Sequence, residues 1–296
     1  MRSPLYKLST FKAAYVVTQL CPSPVLDRIA HFLAWWTLRS APECGAMIRQ
    51  NLAVVTGLKG KALDELTKKN VRNFCRMLGD YFLCSGSQVR RARELVNTWA
   101  GLQHLEAAKA KGKGTILITG HLGHWELGGL LLAMQGLPMT VVTLPEPSAE
   151  LMEWREACRR QLGVKTIAVG PGHDFAFVEM LRTLRNNGCL AMLVDRPYSG
   201  SGQQVNQFGQ ETQYSTAATM LAHHTGATIV PAFVIRDDNG KYCATAHPPV
   251  ELAVAKEMRD VLPINTQRIA DVFESLIRKH PEQWYNYVPL FSSAVS

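Results

Sequence analysis

The sequence predicts an α/β protein, in which helices flank a central mixed or mostly parallel sheet and a helical segment precedes it. Short apolar runs alternate with longer helical patterns along the middle of the chain. The clearest run, Thr115–Ile118, stops at Gly120, and a few polar and aromatic residues separate it from a second apolar stretch. This order indicates a buried strand, a tight turn and the start of a helix.

Composition and cysteine usage limit the class of protein. The chain has 296 residues, of which 47% are hydrophobic and 19% charged, so it can bury a sizeable core and is not disordered. We expect two parts, residues 1–40 and residues 41–296. The seven cysteines are scattered and form no C-x-x-C pair, which predicts reduced, mostly buried thiols in a cytosol-facing protein.

The positive charge is concentrated in the first part of the chain. Residues 1–113 carry 18 Lys and Arg against 7 Asp and Glu, a net charge of +11, whereas residues 114–296 carry a net charge of −3. This asymmetry favours an anionic membrane surface or a phosphate-bearing lipid as partner. Because the chain has no nucleic-acid-binding motif, we do not expect nucleic acid to be a partner.

Residues 1–40 predict two amphipathic helices divided near Pro22 and Pro24. Aromatic residues such as Trp35 and Trp36 lie beside Lys and Arg, as in helices that lie on a bilayer. The alternative is a pair of ordinary helices packed on the core. Glycine, proline or histidine interrupts the uncharged stretches Leu127–Pro145 and Thr212–Ile235, so neither predicts a membrane span. The start of the chain also has no signal-peptide pattern.

The remaining elements follow from periodicity and turn residues. We predict that residues 41–100 are helical throughout. The predicted helices are Met47–Val55, Leu63–Cys84 (ending near Gly86), residues 101–113, Glu150–Leu162 and Asp174–Arg185. The predicted strands, besides Thr115–Ile118, are Thr140–Leu144, Lys165–Val169 and Cys189–Val194.

His121 and Glu126 are the first candidate site residues. Five positions on a regular helix correspond to about 140° of rotation, so the two side chains converge only if His121 lies in the turn and Glu126 in the first helical turn. A histidine held by a carboxylate is a usable general base. The flanking Gly120 and Gly123 allow close backbone approach. The alternative is a partly exposed histidine next to a helix-capping glutamate.

A second charged group follows another buried strand. Asp195 and Arg196 come directly after the Cys189–Val194 run, so they are expected at the carboxyl edge of the sheet, where α/β proteins bind ligands. Arg196 could bind a phosphate bidentately, and Asp195 could orient Arg196 or a catalytic group. The alternative is a structural ion pair in a turn.

The segment from His121 to Gly128, HLGHWELG, resembles the signature of the bacterial lipid A late acyltransferases, within the glycerolipid and lysophospholipid acyltransferase superfamily. His124 replaces the asparagine usual in the family. Further similarities follow in register over roughly residues 45–290. They are Arg49–Leu52, Arg155 with Gly163, Arg196–Gln210, Thr216–Phe233 and Ile277–Asn286.

The resemblance implies transfer of a fatty acyl group from a thioester of acyl carrier protein or coenzyme A to a hydroxyl group of a membrane lipid. The acceptor would be a lipid A precursor, another glycolipid or an aminolipid. His121 would take the hydroxyl proton while Glu126 holds its imidazole, and N–H groups around Gly123 would stabilise the oxyanion. The substrate-binding residues would be Gly123, Trp125, Arg155, Asp195, Arg196, Phe208 and Gly209. The protein would act at the cytoplasmic face of the inner membrane, attached peripherally or monotopically.

The chain lacks a G-x-S-x-G nucleophile motif, so we expect direct transfer without an acyl-enzyme and without a metal or redox cofactor. Two other functions stay open. A metal-dependent hydrolase would use His121, His124 and Glu126, with His223 and His224 completing the shell. A lipid-binding protein without catalytic activity would need none of these side chains for chemistry.

Overall fold

The computed structural model describes residues 8–84, 94–161, 163–197 and 202–291. The helices among these residues are α1 (Leu8–Leu20), α2 (Ser23–Ser40), α3 (Pro42–Thr56), α4 (Gly60–Cys84), α5 (Leu102–Ala110), α6 (Trp125–Met134), α7 (Ala149–Gln161), α8 (Ala176–Arg185), α9 (Ala217–Thr225) and α10 (Met258–Lys279). The strands are β1 (Val96–Ala100), β2 (Thr115–Thr119), β3 (Met139–Thr143), β4 (Val164–Ala168), β5 (Cys189–Leu193), β6 (Gly202–Gln207), β7 (Gln210–Ser215), β8 (Thr228–Arg236) and β9 (Tyr242–Ala246).

Seven strands form one sheet in the order β1-β9-β8-β2-β5-β3-β4, and β6 and β7 form a separate antiparallel hairpin. All neighbouring pairs in the large sheet are parallel except β8 and β9, which confirms the predicted mostly parallel sheet. Strands β2 and β5 are neighbours, with Thr119 opposite Leu193. The residues that follow these two strands therefore emerge side by side at the same carboxyl edge.

Helices cover both faces of the sheet because its central strands are apolar on both sides. Ile116 and Ile118 of β2 are fully buried in a cluster with residues of α3, α8, α9 and α10. Leu117, which points to the opposite face, packs in a second cluster with residues of α5 and α6. This alternation explains why β2 has no polar face in the sequence.

The predicted pair of N-terminal helices is confirmed as α1 and α2, and both pack against α4. The buried Arg76 of α4 joins α2 to the core. Its guanidinium group donates to Asp80 (2.9 Å), to the carbonyl of Ser23 (3.0 Å) and to Asp27 (3.0 Å). No helix in the described ranges is both long and apolar enough to cross a bilayer.

The uncharged stretches divide as predicted, Leu127–Pro145 into α6 and β3, and Thr212–Ile235 into the end of β7, α9 and most of β8. The prediction of helix throughout residues 41–100 is wrong at Val96–Ala100, which forms the edge strand β1 beside β9. The seven cysteines are free, but only Cys84 is buried, so the prediction of mostly buried thiols is wrong. The predicted helix end near Gly86 lies outside the described residues, as do Tyr198–Ser201 of the block that resembles the acyltransferase signature.

Candidate active site

A cavity of about 730 Å³ opens at the carboxyl edge of the sheet, beside the ends of β2, β3 and β5. Its volume is typical of a site for a small organic ligand. The polar residues in its lining are Tyr81, Thr119, His121, His124, Glu126, Thr143, Glu146, Arg155, Arg159, Arg196 and Ser215. Apolar side chains of β3, β5, α6 and α8 form much of the remaining surface. The cavity therefore combines a charged region with an apolar region.

His121 lies in the turn after β2, and Asp195 follows β5 on the neighbouring strand. The imidazole Nδ1 lies 2.8 Å from Asp195 Oδ1, and the backbone N–H of His121 donates to Oδ2, also at 2.8 Å. The Asp195 side chain is 2% exposed and that of His121 is 15% exposed. Burial raises the pKa of Asp195, but the interactions with His121 and then Arg196 outweigh it and lower the pKa. Asp195 is therefore an ionised carboxylate that orients the His121 ring.

Glycines make this turn possible. A Cβ atom at Gly120 would lie 2.7 Å from the Phe273 ring and 2.9 Å from Asp195 Cγ, so a larger residue would displace the carboxylate. At Gly123 the φ angle is +67°, and a Cβ atom would lie 2.1 Å from the carbonyl oxygen of Val234. Glycine is required at both positions, in one for space and in the other for space and backbone conformation.

Arg196 contacts the other nitrogen of the same ring. Its Nη2 lies 2.6 Å from His121 Nε2, and its Nη1 lies 3.4 Å from Asn286 Oδ1. Arginine carries no acceptor, so Nη2 must donate to Nε2 and Nε2 must carry a lone pair. The proton of the neutral imidazole is then on Nδ1, where it is donated to Asp195. Consecutive residues after β5 thus hold both ring nitrogens.

The sequence suggested that Glu126 holds the His121 ring, but the structure does not show this contact. Instead Glu126 Oε1 accepts from Arg155 Nη2 at 2.7 Å and from Arg159 Nη2 at 2.8 Å. Arg155 also donates to Tyr81 and Glu146, and the five side chains form one connected network on the cavity wall. Burial raises the pKa of Glu126, but Arg159 and then Arg155 outweigh this effect and lower the pKa to about 2. The physical reason for the difference is that β5 supplies a closer carboxylate to His121 from outside the local segment.

His124 caps helix α6. The residue is fully buried, its Nδ1 accepts from the backbone N–H of Leu127 at 3.2 Å, and its ring contacts Tyr242 edge to face. Burial lowers the pKa of His124 to about 4, so the ring is neutral at physiological pH. An asparagine would cap the same helix through its side-chain oxygen. Histidine therefore replaces the family's usual asparagine with the same capping function.

The segment Pro281–Asn286, called here the clasp, is hydrogen-bonded to the turn after β2 that contains His121 and Gly123. The backbone N–H of Tyr285 donates to the carbonyl of His121 (2.6 Å), and Gly123 N–H donates to the carbonyl of Gln283 (2.9 Å). Asn51 of α3 and Asn70 of α4 donate in turn to clasp carbonyls. The turn is thus fixed by hydrogen bonds from a segment about 160 residues later in the chain.

The other predicted site residues lie in three places: the cavity lining, the contact with the clasp and the turn between β6 and β7. Trp125 lines the cavity, and its ring lies 5.3 Å from that of His121. Gly123 donates its N–H to the clasp, so that group is not free for an oxyanion. Phe208 and Gly209 form the tight turn between β6 and β7, outside the cavity lining, where the Phe208 ring packs against Trp284 and Phe291.

The structure also shows site residues that the sequence did not single out. Arg159 is 8% exposed and pairs with Glu126, and Glu146, Tyr81 and Asn286 complete the network around the cavity. Arg159 is four positions after Arg155, so one helical turn places both on the same face of α7. That spacing was the available signal. Among the described residues, no three His, Cys, Asp or Glu side chains come together as a possible metal site.

The sequence profile of the bacterial lipid A biosynthesis acyltransferases matches residues 4–292. The chain belongs to this family. Among curated relatives, the phosphatidylinositol mannoside acyltransferase of Mycobacterium tuberculosis (strain CDC 1551 / Oshkosh) is 28% identical over 90% of this chain and 89% of its own length. The corresponding protein of Mycolicibacterium smegmatis is 25% identical over 84% and 80%. The lipid A biosynthesis acyltransferase of Haemophilus influenzae is 26% identical over 70% and 61%.

Membership of this acyltransferase family confirms the resemblance seen in the sequence. It also directs attention to the features of the site that acyl transfer needs. They are a positioned base, a polar surface for the developing oxyanion, and a cavity with both charged and apolar walls.

Proposed function

We propose that this chain transfers a fatty acyl group from a thioester donor to a hydroxyl group of a membrane glycolipid, with His121 as general base. The observation that carries the proposal is the His121–Asp195 contact of 2.8 Å at the wall of the 730 Å³ cavity. Because Nδ1–H is donated to Asp195, Nε2 is the nitrogen that can accept a proton. The ionised Asp195 stabilises the imidazolium that then forms.

The reaction can be written with these groups. His121 Nε2 removes the hydroxyl proton while the acceptor oxygen attacks the thioester carbonyl and forms the new C–O bond. The tetrahedral intermediate collapses by breaking the C–S bond, and the imidazolium returns the proton to the departing thiolate. The N–H groups of Trp125 and Glu126 have no acceptor within α6, since they belong to its first turn. They and the positive end of the helix would stabilise the oxyanion, in place of the Gly123 N–H.

Glu126 has a structural task in this proposal. It pairs with Arg155 and with the buried Arg159, whose charge it balances, and so fixes the charged wall of the cavity. The network would hold Arg155 where it can contact an anionic part of a substrate. Loss of activity on removing Glu126 would then come from a displaced wall and not from a misoriented imidazole.

The names of the relatives support a glycolipid acceptor, because one group acts on phosphatidylinositol mannoside and another in lipid A biosynthesis. Both acyl carrier protein and coenzyme A thioesters remain candidate donors. We propose no metal or redox cofactor, since the base and N–H groups above suffice for an activated thioester. Trp125, Phe208 and Gly209 remain proposed substrate-binding residues, Trp125 directly and the hairpin residues through the position of β6 and β7.

We further propose that α1 and α2 dock on an anionic membrane at the cytoplasmic face of the inner membrane. Exposed apolar side chains cover both helices. They are Val16, Val17, Leu20, Phe32, Leu33, Trp35 and Trp36, with exposed fractions between 43% and 79%. Basic residues Lys12, Arg28 and Arg39 lie among them, as is typical of helices that lie in a membrane interface. The free cysteines suit a reducing compartment.

The test is lipid product formation by purified protein. Acyl carrier protein and coenzyme A thioesters are offered with bacterial membrane lipids to wild type, to His121→Ala and to His173→Ala, whose histidine is exposed in the loop before α8. We expect a new acylated lipid from wild type and His173→Ala and none from His121→Ala, and its mass identifies the acceptor. Lipid binding without turnover in folded wild type would favour a non-catalytic lipid-binding protein. Equal product from His121→Ala would refute His121 as the base.

A further inference from the structure

Arg196 contacts Nε2 of His121, the nitrogen that must accept the proton in the proposed reaction. Its Nη2 donates to His121 Nε2 at 2.6 Å, so the lone pair needed for proton transfer is already engaged. An imidazolium at His121 would also face a guanidinium at contact distance. In the arrangement that the structure shows, His121 cannot accept the proton of a hydroxyl group.

Arg196 also differs from the other arginines of the cavity in its charge balance. Arg155 pairs with Glu126 and Glu146, and Arg159 pairs with Glu126. Within the described part of the chain no carboxylate lies within ion-pair distance of the Arg196 side chain, whose acceptors are the neutral His121 ring and Asn286. Its guanidinium group therefore provides a cavity charge that is available to an anionic ligand.

We propose that Arg196 binds a phosphate ester carried by a substrate and that its withdrawal from His121 releases the base. The proposal rests on the acyl transfer proposed above and adds a requirement, namely that at least one substrate carries phosphate. A bidentate, charge-assisted pair with phosphate is stronger than a hydrogen bond to a neutral imidazole, so phosphate can compete for the guanidinium group. Once Arg196 has moved, Nε2 is free to take the hydroxyl proton as the C–O bond forms.

The phosphate has two possible sources, the phosphopantetheine arm of the donor and the headgroup of the acceptor. If the acceptor supplies it, the thioester is not exposed to an active base until the acceptor is bound, which limits hydrolysis by water. If the donor supplies it, the base is released when the thioester binds. The chemistry at Arg196 is the same in both cases.

The test measures the reactivity of His121 Nε2 directly. Diethyl pyrocarbonate modifies an imidazole nitrogen that has a free lone pair, and tandem mass spectrometry locates the modified histidine. We compare wild type with Arg196→Met, and the exposed His173 serves as the internal reference in each sample. We expect His121 to react about tenfold faster in Arg196→Met, because a charged hydrogen-bond donor is removed, while the rate at His173 stays the same.

Two pairs of probes identify the source of the phosphate. One pair is 4′-phosphopantetheine and pantetheine, and the other is vesicles of phosphatidylinositol and of a phosphate-free glycosyl diacylglycerol. We expect 4′-phosphopantetheine or the phosphatidylinositol vesicles to accelerate His121 modification in wild type, and neither to do so in Arg196→Met. Acceleration by the first assigns the phosphate to the donor, and acceleration by the second assigns it to the acceptor.

An unchanged His121 rate in folded Arg196→Met, or no acceleration of wild type by either probe, would overturn the proposal. Arg196→Leu is the second variant should Arg196→Met not fold, since it also removes the charged donor, and it too should raise the His121 rate. The labelling does not depend on turnover. Absence of acyl transfer with every donor and acceptor would therefore refute the proposed function without deciding this result.

Discussion

Asp195 and Glu126 are both ionised carboxylates at the edge of the cavity, but they contact different partners. Asp195 is bonded to the ring and the backbone N–H of His121, whereas Glu126 is bonded to two arginines. The lowered pKa of Glu126, about 2, means that it carries no proton to donate at physiological pH. The two residues should therefore fail in different ways when their charge is removed.

We predict that Asp195→Asn lowers kcat by about 10³-fold, because the amide no longer holds the Nδ1–H tautomer or stabilises the imidazolium. Glu126→Gln should lower the thermal unfolding temperature, since Arg155 and Arg159 lose their shared counter-charge, and should reduce kcat less. Steady-state kinetics and thermal unfolding of both variants check this. If Glu126→Gln lost more kcat than Asp195→Asn and kept its stability, the result would instead support the His121–Glu126 pair that the sequence suggested.

His124 gives a pH dependence to folding. Burial lowers its pKa to about 4 from 6.5, so between these pH values the unfolded chain binds more protons than the folded one. The contribution is fully present above pH 6.5 and decreases as the pH falls towards 4. We predict that wild type loses about 2 kcal/mol more stability between pH 7.5 and pH 5 than His124→Asn, which caps α6 without titrating. Urea unfolding of the two proteins measures this difference, and equal losses would contradict it.

The sequence placed His121 and Asp195 correctly at strand ends, but it could not pair them. Their contact depends on β2 lying next to β5, although β3 and β4 intervene in the chain. Strand order is a property of the packed sheet and has no local signal around either residue. The sequence favours Glu126 as the partner of His121 because the two are close in the chain. The arginines that bind Glu126 in the structure come from a different helix.

Among the secondary-structure elements, the clasp links the turn around His121 to helices α3 and α4. Asn51 donates to the carbonyls of Asn286 and Val288, at 2.8 and 2.9 Å, and Asn51 is 3% exposed. Asn51 belongs to the Arg49–Leu52 stretch that resembles the family. Its contacts give that stretch a role, because they hold the clasp that contacts the site. The first residue of that stretch, Arg49, is exposed, and the ion partner it has among the described residues is Asp64.

These two residues of one short motif provide a matched test. We predict that Asn51→Ala destabilises the protein by about 1–3 kcal/mol, because one buried and one partly buried carbonyl lose their donor, and that kcat falls as the turn loosens. Arg49→Ala breaks an exposed ion pair and should change stability by at most about 1 kcal/mol. Denaturant unfolding and kcat of both variants check the pair. Similar effects in both would show that the clasp is not fixed through Asn51.

Several elements gave no sequence signal because their local patterns are weak. The β6–β7 hairpin is rich in glutamine, and its turn uses Phe208 (φ +56°) and Gly209 (φ +74°) instead of the usual Asn-Gly. Strand β1 is a partly exposed edge, and its residues are stabilised by pairing with β9. Pro263 interrupts the helical pattern of α10, yet the helix continues through it.

At the scale of the whole molecule, the aromatic surface of α2 and the basic first third of the chain act together in the proposed membrane contact. Trp35 and Trp36 are more than half exposed, and α2 buries Leu26, Ala30 and Ala34 on its other side. One face of α2 therefore packs on the protein, and the exposed face is the one that the proposed membrane contact would use.

We predict that the double variant Trp35→Ser and Trp36→Ser binds anionic vesicles about tenfold more weakly than wild type, because two interfacial aromatic rings are lost. Val254→Ser, which alters a residue that is 93% exposed on a different segment, should bind like wild type. Vesicle sedimentation at several salt concentrations measures both affinities. Binding of the double variant at the wild-type level would place the membrane contact elsewhere.

The position of the clasp in the chain has a consequence for biosynthesis. Helices α1 and α2 precede the sheet in the chain and leave the ribosome before it, whereas the clasp is made after β9 and α10. The hydrogen bonds that fix His121 cannot form until Pro281–Asn286 has emerged. If α1 and α2 dock on the membrane as proposed, the nascent chain reaches the lipid surface while the turn around His121 still lacks these bonds. The proposed acyl transfer would then begin only after the chain has reached its lipid acceptor.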